Sequence, residues 1–203
     1  MNLQDIFASI ELLDEAAMAE ARERQAQLAK PPRQSRTAGG PVHPGGRHHG
    51  TAHNRMENKH LLVFAADNGV VAEGVSNAPQ SVTLMQTINL THHKTGASTL
   101  CRHFGCGITV CDVGVNAEIR EPKVLNRKIA YGTQNIAQGP TMTHEQAITA
   151  IRTGYDLARS TDAGILGVGE MGIGNTTTSA AVLSVLLDVD VEAVTGRGDS
   201  FTV

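Results

Sequence analysis

The stretch that decides the fold is ILGVGEMGIGNTTT, residues 165–178. It begins with the apolar run 165–168, which is typical of a buried strand, and then passes through a glycine-rich turn. It continues into the small-residue segment 176–187, which predicts a helix capped by Asn175 or Thr176. A strand, a tight turn and a helix in this order form the repeating unit of parallel α/β folds.

The chain from Leu61 onward repeats this alternation. Short apolar runs predict further strands over 61–66, 108–111 and 191–194. Helices are predicted over 82–90 and 97–104, and another begins at the capping box Thr143-His144-Glu145-Gln146. Strands that alternate with helices imply a parallel sheet with right-handed crossovers, so we predict an α/β fold.

Two segments of different composition precede this part of the chain. Helix-forming residues fill 14–30, with Asp14 placed to cap the start and Pro31-Pro32 placed to end the helix. Residues 31–60 are rich in Gly, Pro and His, and we predict a disordered tract there. The predicted organisation is a helical segment over 1–30, the tract over 31–60 and an α/β core over 61–203.

The histidines of the tract raise the question of a metal site. They lack regular spacing and acidic neighbours, so we favour a solvated tract and predict no metal centre. The histidines in question are His43, His48, His49, His53 and His60.

Composition and charge narrow the class of protein. The 203 residues include 17 Lys and Arg and 20 Asp and Glu, and the net charge of −3 argues against a nucleic-acid partner. No apolar run approaches the roughly 18 residues of a membrane span, and no secretory signal is visible, so no membrane partner is expected. Cys101, Cys106 and Cys111 lack CxxC spacing, and we interpret them as buried, reduced thiols of a cytoplasmic protein.

The glycine-rich turn predicts an anion site. Glycines let the backbone approach a ligand closely, and a helix N-terminus presents N–H groups with positive dipole character, which suits a phosphate. The P-loop lysine is missing, so a nucleoside triphosphate with magnesium is not expected. The alternative is a tight strand-to-helix turn that needs glycine only for packing.

Two charged residues lie in turns beside predicted strands. Glu170 can hold ribose hydroxyls or act on a reacting centre, or it can simply be the partner of a helix dipole. The turn Thr195-Gly196-Arg197-Gly198 follows the predicted strand 191–194 and would face the same sheet edge. Its Arg197 can pair with a carboxylate or phosphate, or it can be a surface arginine.

Several motifs together resemble one enzyme family. The resemblance covers about 160 positions, and its most specific part is GEMGIGNTT at 169–177. The family is the nicotinate-nucleotide–dimethylbenzimidazole phosphoribosyltransferases of cobalamin lower-ligand assembly. The other motifs are LDEAAM at 13–18, KPP at 30–32, FAADNGV at 64–70, EGVS at 73–76, PQ at 79–80, VT at 82–83, DVGV at 112–115, GTQNIA at 132–137 and TGRG at 195–198.

The resemblance implies a reaction and partners. Ribose 5-phosphate would pass from nicotinate mononucleotide to 5,6-dimethylbenzimidazole, giving α-ribazole 5′-phosphate and nicotinate. The leaving group is already a pyridinium, so no cofactor or metal is expected, and the needs are a base, a phosphate anchor and positioning. Family members are three-layer α/β proteins with a small helical subdomain, and they are usually homodimers. The alternative is a homologue that binds nucleotide or benzimidazole without turnover.

The resemblance also implies site residues. The turn Gly172-Ile173-Gly174-Asn175-Thr176-Thr177 would lie at the nucleotide phosphate, together with Gly196, Arg197 and Gly198 of the second turn. Glu170 would lie near the ribose and the nicotinate. The region 76–86 would line the benzimidazole pocket, with Ser76 and Gln86 as polar candidates, and Asp67 is a further substrate-binding candidate at the sheet edge.

The sequence departs from the family in two places. The family's general base is a glutamate beyond the position of Val203, so we expect a C-terminally incomplete sheet and a loss of roughly 10² to 10⁴ in rate. Residues 33–51 replace a helical segment that begins Gly-Ser-Leu-Gly-Arg-Leu-Glu. Because a one-base shift of the coding frame can regenerate such a segment, we interpret the tract as out of frame, as is the tail after Gly198.

Overall fold

The computed structural model describes residues 3–10, 12, 14–27 and 57–196. The chain divides into two compact units, residues 1–57 and 58–203. Among the described residues, none of the helices has both the length and the apolar character needed to cross a bilayer.

The first unit contains two helices in its described part, α1 (Leu3–Ala8) and α2 (Glu15–Gln27). The carboxylate oxygen Oδ1 of Asp14 accepts a hydrogen bond from the Ala17 N–H at 2.8 Å. This bond satisfies one of the free donors at the start of α2, so the predicted cap is confirmed. Residues 28–56, with the predicted end of this helix and most of the Gly/Pro/His-rich tract, lie outside the described residues.

The second unit is built on a parallel sheet, as predicted. The strands are β1 (Lys59–Ala66), β2 (Gly107–Gly114), β3 (Val124–Asn126) and β4 (Ile165–Met171). They lie in the order β3-β2-β1-β4. In register, Val63 of β1 lies opposite Val110 of β2, and Phe64 lies opposite Glu170 of β4. Strand β1 thus includes Lys59 and His60, the last two positions of the predicted tract, and β3 was not predicted.

The helices of this unit connect the strands. The predicted capping box at Thr143 is confirmed, because Thr143 Oγ1 accepts from the Gln146 N–H at 3.2 Å and Gln146 Oε1 accepts from the Thr143 N–H at 2.8 Å. The helices are a short 3₁₀ helix (Gly69–Glu73), α3 (Ser81–Thr91), α4 (Gly96–His103), α5 (His144–Ser160), α6 (Asn175–Leu187) and α7 (Val191–Val194).

Successive side chains of β1 pack against helices on opposite faces of the sheet. Val63 belongs to a buried cluster that includes Leu90 of α3 and Val110 of β2. The next side chain, Phe64, points toward α5, where a Cβ built on Gly154 lies 4.0 Å from its Cζ. Because neighbouring residues of a strand face opposite sides, this alternation produces helix, sheet and helix layers. The predicted three-layer α/β fold is confirmed.

The predicted strand at 191–194 is wrong, since these residues form the one-turn helix α7. The Ala193 N–H donates to the Asp190 carbonyl at 3.0 Å, and the Thr195 hydroxyl donates to the Val191 carbonyl at 2.7 Å. These local bonds use the polar groups that a strand would pair with a neighbour. A four-residue run with two valines is too short for its pattern to separate the two structures.

The three cysteines are free thiols, and Cys101 and Cys111 are buried while Cys106 is half-buried. Burial raises the pKa of the Cys111 thiol to about 11 and also raises the pKa of the Cys101 thiol. Both buried thiols therefore stay protonated at neutral pH, which agrees with a packing role.

Candidate active site

The glycine-rich turn after β4 lies beside the end of β1. The two strands are parallel and stay in register up to the pair Ala65 and Met171, so their following turns meet at one edge of the sheet. The Ile173 N–H donates to Thr83 Oγ1 at 3.0 Å, and the Ile173 carbonyl accepts from Asn68 Nδ2 at 3.2 Å. Side chains from two other segments thus hold both polar backbone groups of Ile173.

The two glycines that flank Ile173 are required by the packing of the turn. A Cβ on Gly172 would lie 2.1 Å from the Ala66 carbonyl oxygen, so no side chain fits there. Gly174 has φ +84°, and a Cβ there would lie 2.8 Å from a methyl carbon of Val71. At both positions close packing is enough to require glycine, as the alternative interpretation of the turn predicted. This holds whether or not the turn also binds an anion.

Helix α6 begins differently from the prediction. Gly174 is the residue before the first helical turn, so the predicted cap at Asn175 or Thr176 is wrong. Asn175 is instead the first helical residue, and its Nδ2 donates to Oε1 of Glu170. The carboxylate of Glu170 is therefore held at the positive end of a 13-residue helix, where a negative charge is stabilised.

A cavity of about 420 Å³ lies along one side of α6, from its first turn to Leu183, and we call it the turn cavity. Glu170 and the first turn of α6 form one side, and Thr195 and Gly196 contribute from beyond α7. The second glycine-rich turn thus reaches this cavity, although a helix and not a strand precedes it, whereas Gly172, Ile173 and Gly174 of the first turn are absent from its lining. Arg197 and Gly198 lie outside the described residues. The polar residues that line the cavity include Asn175, Thr176 and Thr177.

A second cavity of about 700 Å³ lies between the β1–β4 pair and the helices α3 and α4, and we call it the helix cavity. Gln86 of α3 lines it, as do Lys94 and the Ile173 side chain. Glu170 lines this cavity as well as the turn cavity, so one residue belongs to the walls of both.

Asp67 and Ser76, two further candidates, are absent from the residues that line these two cavities. Asp67 is 3% exposed, and its Oδ2 accepts from the Asn116 N–H at 2.8 Å, while Oδ1 is buried without a hydrogen-bond partner among the described residues. Ser76 Oγ accepts from the Ala78 N–H at 3.2 Å. These bonds order the loops behind the site, and a direct role in binding remains a prediction for both residues.

The chain is similar to known proteins over almost all of its length. A sequence profile described as Phosphoribosyltransferase matches residues 10–202. The nicotinate-nucleotide–dimethylbenzimidazole phosphoribosyltransferase of Alkaliphilus metalliredigens is 42% identical over 202 residues, which cover 97% of this chain and 57% of the relative. The chain belongs to the nicotinate-nucleotide–dimethylbenzimidazole phosphoribosyltransferase family.

Other members of this family agree. The member from Ruminiclostridium cellulolyticum is 47% identical over 150 residues, 72% of this chain and 43% of that protein. The crystal structure of the member from Thermus thermophilus matches with a TM-score of 0.82 at 38% identity, over 91% of this chain and 57% of that chain. The chain matches the Alkaliphilus and Thermus proteins over almost all of its own length, and it spans a little over half the length of each of them. The family predicted from the motifs is confirmed.

Three residues that shape the site were not among the predicted site residues. Asn68 and Thr83 bind the backbone of Ile173, and Lys94 lines the helix cavity. Asn68 also accepts from the Thr178 hydroxyl at 3.1 Å, which joins the β1 turn to α6. Asn68 and Thr83 stand in motifs that resemble the family, at 64–70 and 82–83, and these motifs were a usable signal, whereas Lys94 stands in none of them.

Proposed function

We propose that this chain binds nicotinate mononucleotide and 5,6-dimethylbenzimidazole and takes part in the transfer of ribose 5-phosphate between them. The observation that supports this most directly is the place of Glu170, which lines both cavities. A transferase of this kind needs a donor site and an acceptor site that meet at the anomeric carbon. The relatives are named for this reaction. Because the chain spans only 57% of the length of the Alkaliphilus protein, the whole activity is a proposal for this chain.

The donor is proposed to occupy the turn cavity. Its phosphate would lie against the first turn of α6, where the N–H groups at the helix start and the hydroxyls of Thr176 and Thr177 can donate. Its ribose would then extend toward Glu170. We propose that Gly196, Arg197 and Gly198, which were predicted to lie at the nucleotide phosphate, also contact the donor there.

The acceptor is proposed to occupy the helix cavity, where Gln86 can hydrogen-bond a ring nitrogen and the apolar wall includes Ile173. In the reaction, the bond from C1′ to the nicotinate nitrogen breaks and its electron pair stays on nicotinate. A benzimidazole nitrogen forms the new bond to C1′, and the N–H proton of the ring passes to a solvent water molecule. The carboxylate of Glu170 would stabilise the positive charge that develops at C1′.

The proposal is tested by incubating the purified chain with both substrates and following nicotinate and α-ribazole 5′-phosphate by chromatography, with calorimetry for binding. We expect Glu170→Gln to lower product formation about 100-fold because it removes the charge at the reacting centre. Glu145→Gln is the control, since it removes the same charge from an exposed residue in the first turn of α5, away from both cavities. Binding of both substrates without product would favour the binding-only alternative, and binding of neither would refute the proposal.

We also propose that the protein acts in the cytoplasm as a homodimer. Free thiols in the described part of the chain agree with a reducing compartment. Sedimentation at several protein concentrations tests the dimer, and a single monomeric species throughout would contradict it.

A further inference from the structure

Ile173 lies between the helix cavity and the start of α6. It lines the helix cavity, and Asn175, two residues further along the chain, lines the turn cavity. The Ile173 N–H is bound by Thr83 of α3, and Gln86, three residues further along the same helix, lines the helix cavity too. Helix α3 therefore both forms part of the helix cavity and holds the turn that leads into α6, whose first residues line the turn cavity.

Thr83 is built into the helix in a way that fixes its hydroxyl. It is 0% exposed, and its carbonyl accepts from the Thr87 hydroxyl at 2.7 Å, while Thr87 is also 0% exposed. Because the Thr83 hydroxyl oxygen has no access to water, the bond between Ile173 and Thr83 is costly to break. The position of α3 and the position of the turn are consequently not independent.

The opposite side of the turn is fixed as well. Asn68 binds the Ile173 carbonyl through Nδ2 and the Thr178 hydroxyl through Oδ1, so it joins the turn to the first residues of α6. Gly172 packs so closely on the Ala66 carbonyl that the turn has no room to move toward β1. Of the contacts to Ile173, the bond to Thr83 is the one that leads to the helix cavity.

We propose that Thr83 is a positioning residue that couples the two cavities, so that a ligand in the helix cavity tightens binding of a phosphorylated ligand in the turn cavity. A planar aromatic base packed against Gln86 and Ile173 would hold α3 and the turn together through the Thr83 hydroxyl. By linkage, the phosphorylated ligand would tighten binding of the base by the same factor. This inference rests on the proposed function, which names the two ligands as 5,6-dimethylbenzimidazole and nicotinate mononucleotide.

The coupling is tested by calorimetry. The Kd of nicotinate mononucleotide is measured alone and with saturating 5,6-dimethylbenzimidazole, and we expect the base to lower it about tenfold in the unsubstituted chain. Thr83→Val keeps the shape but removes the acceptor, and the ratio should fall to about 1. Thr83→Ser keeps the hydroxyl and should retain the ratio. Thr87→Val, with the same chemical change one turn along the same helix at the same burial, should also retain it.

A second measurement needs no ligand. Amide hydrogen exchange at Ile173 should become at least tenfold faster in Thr83→Val and should stay unchanged in Thr87→Val, because only the first variant removes its acceptor. Equal exchange at Ile173 in the two variants would refute the positioning role. A wild-type ratio of 1 with both ligands bound would refute the coupling alone, whereas failure of the unsubstituted chain to bind either ligand would refute the proposed function.

Discussion

The ammonium Nζ of Lys128 lies 2.9 Å from Oδ2 of Asp112, and both side chains are largely withdrawn from solvent. Oδ1 of the same carboxylate accepts from the N–H groups of Gly114 and Val115 at 3.1 and 2.9 Å. The Lys128 ammonium also donates to the Val115 carbonyl and, at 3.1 Å, to the Ala117 carbonyl. The ion pair thus orders the loop that leaves β2 at the same sheet edge as the candidate active site.

Removing one member of this pair should destabilise the fold strongly. Lys128→Met leaves the Asp112 carboxylate buried without its counter-charge, and we expect the free energy of unfolding to fall by about 3–5 kcal/mol. Urea denaturation measures the change. The exposed Lys123→Met should stay within about 0.5 kcal/mol of the unsubstituted chain. A loss below about 1 kcal/mol for Lys128→Met would show that the pair contributes little.

Gly172→Ala should disrupt the glycine-rich turn. The added methyl carbon would lie 2.1 Å from the Ala66 carbonyl oxygen, which is backbone and cannot yield without moving the end of β1. We expect at least a tenfold weaker binding of nicotinate mononucleotide, measured by calorimetry, and a lower melting temperature.

Gly154→Ala provides the control for this change. A Cβ there meets only the Phe64 Cζ at 4.0 Å, and alanine is favoured over glycine inside a helix by about 1 kcal/mol. This variant should bind as the unsubstituted chain does and should be at least as stable. Unchanged binding in Gly172→Ala would mean that the turn is not part of the donor site.

The Cys111 thiol should make the fold sensitive to alkaline pH. Its pKa is raised by burial to about 11, above the ordinary value of 9.0, so the folded chain keeps a proton that the unfolded chain loses in this interval. The contribution to stability is present in full below pH 9 and is lost as pH rises toward 11. Urea unfolding measures the free energy of unfolding over this alkaline range. It should decline less steeply with pH in Cys111→Ala than in the unsubstituted chain, and Cys106→Ala serves as the control. Identical declines in the two variants would contradict this role.

The capping box of α5 should be worth a measurable part of the stability. Thr143→Ala removes the side-chain acceptor for the Gln146 N–H, and we expect a loss of about 1 kcal/mol in the free energy of unfolding. Thr149→Ala is the matched control, since Thr149 is exposed in the middle of the same helix and its hydroxyl donates to the Glu145 carbonyl. If the two variants lose the same stability, the cap has no special role.

Much of the fold follows from local sequence patterns. Continuous apolar runs predicted β1, β2 and β4, and the four-residue box beginning at Thr143 predicted the start of α5, because these signals lie within a few neighbouring residues. Strand β3 has only three residues, and 191–194 has only four, so neither run was long enough for its periodicity to separate strand from helix.

The same distinction between features with and without a local sequence signal applies to the candidate site. The glycines and Glu170 stand in one contiguous motif, which made them candidates, and the resemblance of that motif to a family gave the predicted roles. The bonds from Asn68 and Thr83 to Ile173 depend on strand pairing and on how α3 packs, and no local pattern encodes them. Asn175 looked like a helix cap by residue type, but its amide is taken by Glu170, which is a contact that only the folded turn creates.

The two side-chain bonds to Ile173 also bear on the order in which the chain folds. Their partners lie 90 and 105 residues earlier in the sequence, so the turn cannot close until β1, α3 and β4 have all come together. Contacts of such long sequence separation carry a high loop-closure cost and form after the local helices. A nucleotide that binds at this turn would therefore bind only after the sheet has formed. A folding intermediate with its helices in place but its strands unpaired would show no nucleotide binding.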